Sequence, residues 1–157
     1  MTYTTLYPSP LGNLLICSDG VSLTGLWMEA QNPNLSAALH CENLSIFASV
    51  RDWLDDYFAG VPRAVDFPLS PAGTDFQRRV WALLLTIPYG ETTTYGAIAN
   101  QLGEKMSAQA VGQAVGKNPI GIIIPCHRCI GARGQLTGYA GGLENKKWLL
   151  RHEEETK

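Results

Sequence analysis

The 157-residue sequence has no long apolar run and few basic side chains in its first half. No apolar stretch approaches the roughly 20 residues that a membrane-spanning helix needs, so no membrane span is predicted. The first five residues lack the basic and apolar regions of a secretory signal peptide, and we expect a cytoplasmic protein. The four cysteines are expected to be reduced thiols, because a chain of this length can form a core without disulfides.

Charge is distributed unevenly between the two halves. Residues 1–72 carry two basic and seven acidic side chains, whereas residues 73–157 carry ten basic and seven acidic ones, in a chain of net charge −2. This asymmetry indicates either that only the second half meets a polyanion or that both halves have ordinary solvated surfaces. Charge alone leaves these two alternatives open.

The first half has the pattern of a small α+β domain. Pro8–Gly12 separates two strand-like runs and Asp19-Gly20 separates the second run from a third, which predicts antiparallel hairpins. Apolar residues then recur at three- and four-residue spacing from Phe47 to Phe58, which predicts an amphipathic helix that ends at Gly60.

The second half is predicted to be mostly helical. It follows a linker, residues 61–73, that contains three prolines, and we expect two domains, 1–68 and 69–157. Capping residues and apolar spacing predict four helices with these approximate bounds: Thr74 to Ile87, Thr93 or Thr94 to Gly103, Ser107 to Gly116, and Gly142 to Glu153 with an apolar side of Leu143, Trp148 and Leu149. The second and third are joined by a short turn, which is the helix-turn-helix pattern. The small side chains of the third helix suit either the narrow minor groove of DNA or close packing against a neighbour.

The segment Pro125-Cys126-His127-Arg128 carries the clearest chemical signal. It follows the apolar run Ile120–Ile124, which predicts a buried strand, and the proline turns the chain after it. The turn presents a thiol with an imidazole beside it, and a thiolate is the strongest nucleophile among common side chains. We therefore interpret Cys126 as a nucleophile placed beside a base.

Together these residues resemble the O6-alkylguanine-DNA alkyltransferases, the methylated-DNA–protein-cysteine methyltransferases. The resemblance covers about residues 74–155 without gaps and is carried by Ile124–Arg128, Lys117–Pro119, Gly138–Leu143, Lys146–Glu153, Tyr89–Glu91 and Tyr95. It implies a ribonuclease-H-like N-terminal domain and a C-terminal winged helix-turn-helix domain. It also implies irreversible transfer of an alkyl group from O6 of guanine, and possible O4-alkylthymine repair, with each molecule acting once.

The resemblance assigns catalytic roles to five residues. Cys126 would be the nucleophile, His127 would take its proton through a water molecule, and Glu153 would orient the imidazole. Asn118 would hold the turn that carries Cys126, and Tyr95 would donate a proton toward the leaving purine. Read without the resemblance, Tyr95 is a core residue of a helix, Asn118 a turn former, and Glu153 part of a solvated acidic run.

The resemblance also implies that the target guanine leaves the duplex. The expected DNA-binding residues are Thr94, Tyr95, Ala108, Gln109, Ala110, Gly112 and Arg128, and the expected base pocket comprises Cys129, Tyr139, Ala140 and Gly141. Gln109 stands where the family has an arginine that fills the vacated space, so we expect weaker or slower engagement of DNA. Arg128 has an alternative role, as an internal partner of a carboxylate.

The expected partner is double-stranded alkylated DNA, with no cofactor, no obligate protein partner and a monomeric chain. No metal is expected, because His40 and Cys41 are adjacent and only Cys17 stands elsewhere in that half. Two other functions stay open. The chain could bind damaged DNA without transfer, or the Cys126-His-Arg-Cys129 spacing could indicate a thiol oxidoreductase, although the βαβ context of such enzymes is missing.

Overall fold

A small sheet forms the first half of the structure. The computed structural model describes residues 1–31, 33, 35, 37–103 and 106–157, which have a mixed α/β fold with this sheet and five α-helices. The sheet strands are β1 (Tyr3–Ser9), β2 (Gly12–Ser18), β3 (Leu23–Trp27) and β4 (Leu39–His40). Their order is β3-β2-β1-β4, and β4 is parallel to β1. Both predicted hairpins are confirmed by the antiparallel pairs β1–β2 and β2–β3.

Helix α1 (Ser45–Phe58) packs its apolar side against this sheet, as its spacing predicted. The buried side chains of α1 are Ile46, Phe47, Val50, Trp53, Leu54 and Tyr57. The helix ends before Gly60, which has a φ of 83° and takes the left-handed conformation that glycine adopts most easily. Tyr57, in the last turn of α1, therefore lies inside the molecule and reaches the second half.

The second half contains four helices close to the predicted positions. They are α2 (Asp75–Leu84), α3 (Tyr95–Leu102), α4 (Ala108–Gly116) and α5 (Leu143–Thr156), and short strands β5 (Thr93–Thr94) and β6 (Cys129–Ile130) pair in parallel. The Thr74, Thr94 and Ser107 side chains cap α2, α3 and α4. Helix α2 ends at Leu84 instead of Ile87, because the next residues form tighter turn bonds. None of the helices in this described part has the length and apolar character needed to cross a bilayer.

The apolar run Ile120–Ile124 is buried, but the prediction of a strand there is wrong. Ile120 alone makes a bridge, to Leu26, and the chain then turns through Ile122, which has a φ of 67°. Internal bonds from Ile123 N to Gly121 O and from Ile124 N to Ile120 O close the turn. The apolar composition correctly indicated that the segment is buried. A buried segment does not need an extended backbone when its peptide groups find hydrogen-bond partners outside a sheet.

Helix α5 differs from its predicted apolar side. Leu143 is 42% exposed, whereas the buried residues of α5 are Lys146, Leu149 and Glu153. Their spacing of three and four residues places them on one face, so two charged side chains point into the core. Trp148 is only partly buried and stacks on His152, with ring centroids 4.8 Å apart.

The edge of β3 supports the loop that precedes Cys126. Leu26 N donates to Pro119 O at 2.9 Å, and Gly121 N donates to Leu26 O at 3.1 Å. In the second half, Trp81 of α2 donates its indole N–H to Ala114 O of α4 at 2.8 Å, in the buried core. The loop is therefore bonded to the sheet of the first half, and α4, which leads into it, is bonded to α2.

We expect Trp81→Phe to destabilise the fold by about 2–3 kcal/mol, because it removes the indole donor from the buried Ala114 carbonyl, which keeps only the bond from Lys117 N at 3.2 Å, and because it reduces packed volume. Urea unfolding followed by circular dichroism would measure the loss. Trp148→Phe, at a partly buried ring, is the matched control and should cost less. Equal losses for the two variants would contradict a role for the Trp81–Ala114 bond.

Candidate active site

Cys126 lies at the start of a 3₁₀ helix (Cys126–Arg128) that follows the buried turn. Its side chain is 7% exposed and borders a narrow pocket. Asn118 holds both ends of the turn before it: the amide nitrogen donates to Ile120 O at 3.2 Å and to Ile124 O at 2.9 Å, and the amide oxygen accepts from Ile120 N at 3.0 Å. Asn118 is thus a turn former whose turn carries the cysteine.

The thiol of Cys126 is protonated at rest. Burial raises its pKa, and this effect outweighs hydrogen bonding with Asn118 and Tyr139 and the positive charge of Lys146, all of which favour the thiolate. A buried protonated thiol is a weak nucleophile, so the site needs a base to become reactive.

His127 has the arrangement of such a base. Its side chain is fully buried, and Nε2 lies 2.5 Å from Glu153 Oε2. Burial lowers the pKa of His127 in spite of the nearby carboxylate, so the ring is neutral at neutral pH. With Nε2 donating to Glu153, Nδ1 carries the free lone pair, and it is the one buried side-chain nitrogen or oxygen without a hydrogen-bond partner in the described residues.

The Glu153 carboxylate is the centre of a buried hydrogen-bond cluster. It accepts from Tyr57 Oη at 2.7 Å, Gly90 N at 3.1 Å, His127 Nε2 at 2.5 Å and two nitrogens of Arg128, at 2.8 and 3.2 Å. Burial alone would raise the pKa of Glu153, but the hydrogen bonds and charges of His127 and Arg128 lower it well below its ordinary value. The alternative that Glu153 belongs to a solvated acidic run is contradicted, because Glu153 is 1% exposed, whereas Glu154 and Glu155 are exposed.

Arg128 does not have the position of a DNA contact. Besides its two bonds to Glu153, it donates to Ile87 O at 2.6 Å, and it is 8% exposed. Its guanidinium also lies over the Tyr89 ring, 5.7 Å from the centroid. The alternative that Arg128 bridges an internal carboxylate is what the structure shows, because a buried carboxylate needs a charged partner.

Apart from Arg128, the residues expected to meet DNA lie on α3 and α4 or, for Thr94, at the N-cap of α3. Ala108 and Gln109 are exposed at the N-terminus of α4, and Ala110 and Gly112 are partly buried, whereas its Val111, Ala114 and Val115 face the core. Gly112 faces the Tyr95 ring of α3, and a methyl group there would lie in ordinary contact with that ring at 3.7 Å, while the other side of α4 stays exposed. The hydroxyl of Thr94 accepts from Ala97 N and is occupied as a helix cap.

Tyr95 lies between these helices and the loop that precedes α5. Its hydroxyl is 3.1 Å from the Thr137 hydroxyl, and burial raises its pKa, so the phenol keeps its proton at neutral pH.

The pocket beside Cys126 has a volume of about 20 Å³, enough for about one water molecule. Its lining residues are Gln31, Val115, Gly116, Asn118, Gly121, Cys126, Gly138, Tyr139, Ala140 and Gly141. The expected pocket residues Tyr139, Ala140 and Gly141 are therefore brought together with the thiol. A methyl group at Gly141 would come within 2.4 Å of Met28 Sδ and 2.8 Å of the Tyr139 ring, so a side chain there would require these two neighbours to shift.

Cys129 does not line this pocket, contrary to its predicted place. It is fully buried, burial raises its pKa to about 12, and its carbonyl accepts from Lys146 Nζ at 2.7 Å. The chain enters β6 after Cys126–Arg128, not the long helix that follows the cysteine pair of thioredoxin-type enzymes. The described residues contain no group of three His, Cys, Asp or Glu side chains placed to hold a metal.

The sequence interpretation missed several residues of the site, among them Gln31, Tyr57 and Lys146. The spacing of Lys146 with Leu149 and Glu153 is a signal that could have found it, since the three share a helix face. Tyr57 appeared in the apolar pattern of α1, but its partner is 96 residues away, and no local pattern reports such a contact.

Comparison with known proteins matches both halves of the chain to models of the same protein family. A family model for "6-O-methylguanine DNA methyltransferase, ribonuclease-like domain" matches residues 2–71, and one for "6-O-methylguanine DNA methyltransferase, DNA binding domain" matches residues 75–155. The chain is 49% identical over 146 residues to the methylated-DNA–protein-cysteine methyltransferase of Mycobacterium tuberculosis, which covers 93% of this chain and 88% of that protein. It is 46% identical over 154 residues to the Haemophilus influenzae protein of the same name, covering 97% and 86%.

Solved structures agree. The crystal structure of the Mycobacterium tuberculosis O6-methylguanine methyltransferase superposes with a TM-score of 0.90 at 45% identity, covering 100% of this chain and 95% of that one. A Mycobacterium tuberculosis relative in complex with DNA superposes with a TM-score of 0.89 at 46% identity, covering 99% and 93%. The family-model matches and these relatives show that the chain belongs to the 6-O-methylguanine DNA methyltransferase family.

Proposed function

We propose that this protein repairs DNA by moving the alkyl group of O6-alkylguanine onto the sulfur of Cys126, once per molecule. The observation that carries the proposal is the buried Cys126 thiol at a pocket, followed directly by a buried His127–Glu153 pair whose imidazole Nδ1 is free. The names of the relatives support the same chemistry.

The reaction is a displacement at an sp³ carbon. A bond forms between Cys126 Sγ and the alkyl carbon while the bond from that carbon to guanine O6 breaks, and the thiol proton is released as the purine gains one. No oxyanion develops at carbon, so the site needs a nucleophile and proton donors and no oxyanion hole. The thioether product is stable, and the described site offers no second nucleophile placed to remove the group, so turnover ends there.

His127 and Glu153 activate the thiol. Nδ1 of the neutral imidazole takes the Cys126 proton through a water molecule, and the ionised Glu153 stabilises the imidazolium that forms. Because Glu153 is held by five donors, its charge is present before the reaction and does not have to be reorganised. Tyr95, whose raised pKa keeps its hydroxyl protonated, donates toward the leaving purine.

The partner is double-stranded alkylated DNA, bound through the exposed face of α4. A guanine within a duplex cannot reach a buried sulfur, so the base must be extruded. The pocket of about 20 Å³ cannot hold a purine, and the Tyr139–Gly141 segment must therefore move away from Cys126 to admit it. The small residues of α4 allow approach to a minor groove, where sequence information is poor and scanning is possible.

The division of labour follows the two halves. We propose a ribonuclease-H-like domain of residues 1–68 and a winged helix-turn-helix domain of residues 69–157, acting as a monomer without an obligate protein partner. The sheet strands in the first part and the paired helices α3 and α4 in the second support this division.

The first test is a mass measurement after incubation with duplex DNA containing O6-methylguanine. We expect one added methyl group per chain, on the peptide that contains Cys126. Cys126→Ser should abolish the gain, whereas Cys129→Ser, the matched change at the neighbouring buried thiol, should leave it. Binding without any mass gain would instead assign the chain to the class that recognises damaged DNA without transfer.

A second test addresses the base. Glu153→Gln should slow methyl transfer by about 100-fold or more, because a neutral amide cannot stabilise the imidazolium. Glu154→Gln, exposed on the same helix, is the control and should not change the rate. Because the pKa of His127 is lowered, the wild-type rate should stay level as pH falls to about 6.5 and decline only below it, where the imidazole becomes protonated. Single-turnover kinetics across pH would measure both effects.

A third test concerns Gln109, which replaces the arginine that the family places in the vacated base stack. Gln109→Arg should tighten binding to duplex DNA severalfold. It should also steepen the fall of log K with the logarithm of salt concentration by about the release of one counterion. Gln113→Arg adds the same charge one turn later on the exposed side of α4 and serves as the control. Equal gains from both variants would show that added charge alone is responsible.

A further inference from the structure

We propose that Tyr57, from the first half of the chain, is a positioning residue of the Cys126–His127–Glu153 relay. The inference rests on the proposed function and assigns part of the transfer site to a domain that otherwise supplies only Gln31 to the pocket. Tyr57 does not touch the thiol or the expected substrate. It acts through the carboxylate that holds His127.

Tyr57 and His127 bind the same carboxylate oxygen. Oε2 of Glu153 accepts from Tyr57 Oη at 2.7 Å and from His127 Nε2 at 2.5 Å, with an Arg128 nitrogen at 3.2 Å. An oxygen with its lone pairs engaged in this way cannot rotate without breaking one of these bonds. The direction in which Glu153 presents its charge to the imidazole is therefore fixed partly by the Tyr57 hydroxyl.

The hydroxyl is itself held in place by packing. The Tyr57 ring stacks on Trp53, with centroids 5.5 Å apart and planes 13° from parallel, and meets the edge of Tyr89 at 5.7 Å. Its backbone carbonyl accepts from His152 Nε2 of α5 at 2.7 Å. The residue is thus fixed at both its backbone and its hydroxyl against the helix that carries Glu153. A donor on such a rigid support is the kind of second layer that orients a reacting group.

Tyr57 affects the proton balance of the relay in a definite direction. Its phenol stabilises the carboxylate without adding charge, so its removal leaves Glu153 more basic. A more basic carboxylate stabilises the imidazolium more strongly, and the pKa of His127 rises. The rate then begins to fall at a higher pH, because the protonated imidazole cannot accept the thiol proton. A change in packing alone would scale the rate equally at every pH.

The other groups around the pair must stay constant for this effect to be assigned. Several neighbouring elements contribute titratable or charged side chains around Glu153 and His127. They are Tyr57 of α1, Tyr89 of the connection after α2, Cys126 and Arg128 of the 3₁₀ helix, Tyr139 of the loop before α5, and Lys146 of α5. Only Tyr57 comes from the first half, and a change there leaves the others in place.

The test compares Tyr57→Phe with Tyr7→Phe in single-turnover methyl transfer from duplex O6-methylguanine. Tyr7 is a matched control, because its hydroxyl also donates to a carboxylate, Asp55 on α1, at 2.6 Å, but does not reach the relay. We expect Tyr57→Phe to slow transfer about 10-fold at neutral pH, because Glu153, and with it the imidazole, loses its fixed orientation. We also expect the pH below which the rate falls to rise by about 0.5–1 unit. Tyr7→Phe should keep the pH dependence of the wild-type rate.

A second variant covers the case in which Tyr57→Phe does not fold. A fluorinated tyrosine at position 57 keeps the shape of the ring and makes its hydroxyl a stronger donor. The pH below which the rate falls should therefore decrease, opposite to the effect of phenylalanine. If neither change alters the pH below which the rate falls, while the wild-type protein transfers the methyl group normally, the role of Tyr57 is overturned. If wild type itself acquires no methyl group, the proposed function fails instead.

Discussion

The structure depends most on one buried negative charge, the carboxylate of Glu153. An ionised carboxylate in the core is strongly unfavourable unless hydrogen bonds and a cation compensate it. Here five donors from three parts of the chain converge on it, among them the guanidinium of Arg128. The same bonds that make the charge tolerable also fix the imidazole of His127 in the tautomer with a free Nδ1. Stability and reactivity therefore share one cluster.

The two halves cooperate in presenting the nucleophile. The edge of β3 binds the loop before Cys126 through the backbone of Leu26, and Asn118 closes that loop from inside. The first half thus supports the thiol from one side, while Tyr57 reaches the carboxylate from another. One hydrophobic core includes buried residues of both halves, so the first half packs directly against the part of the chain that carries Cys126.

Much of this architecture was predictable from local patterns. The hairpins at Pro8–Gly12 and Asp19-Gly20, the caps at Thr74, Thr94 and Ser107, and the end of α1 near Gly60 all follow from short-range backbone chemistry. The prediction of a strand before Cys126 failed because backbone conformation was inferred from apolar composition alone. The isoleucine run before Cys126 is buried as expected, but it turns, because Asn118 and internal bonds satisfy its peptide groups.

The sequence by itself determined which residues are proposed to carry the chemistry, since Cys126, His127, Asn118 and Glu153 stand in a motif whose spacing is specific. Only the tertiary structure decided how the polar groups are paired: that Arg128 faces inward, that Glu153 is buried apart from its acidic neighbours, that Cys129 lies outside the pocket, and that Tyr57 bonds the Glu153 carboxylate. Local patterns are set by interactions across a few residues. The environment of a charge is set by residues far apart in the chain, whose meeting depends on how the whole core packs.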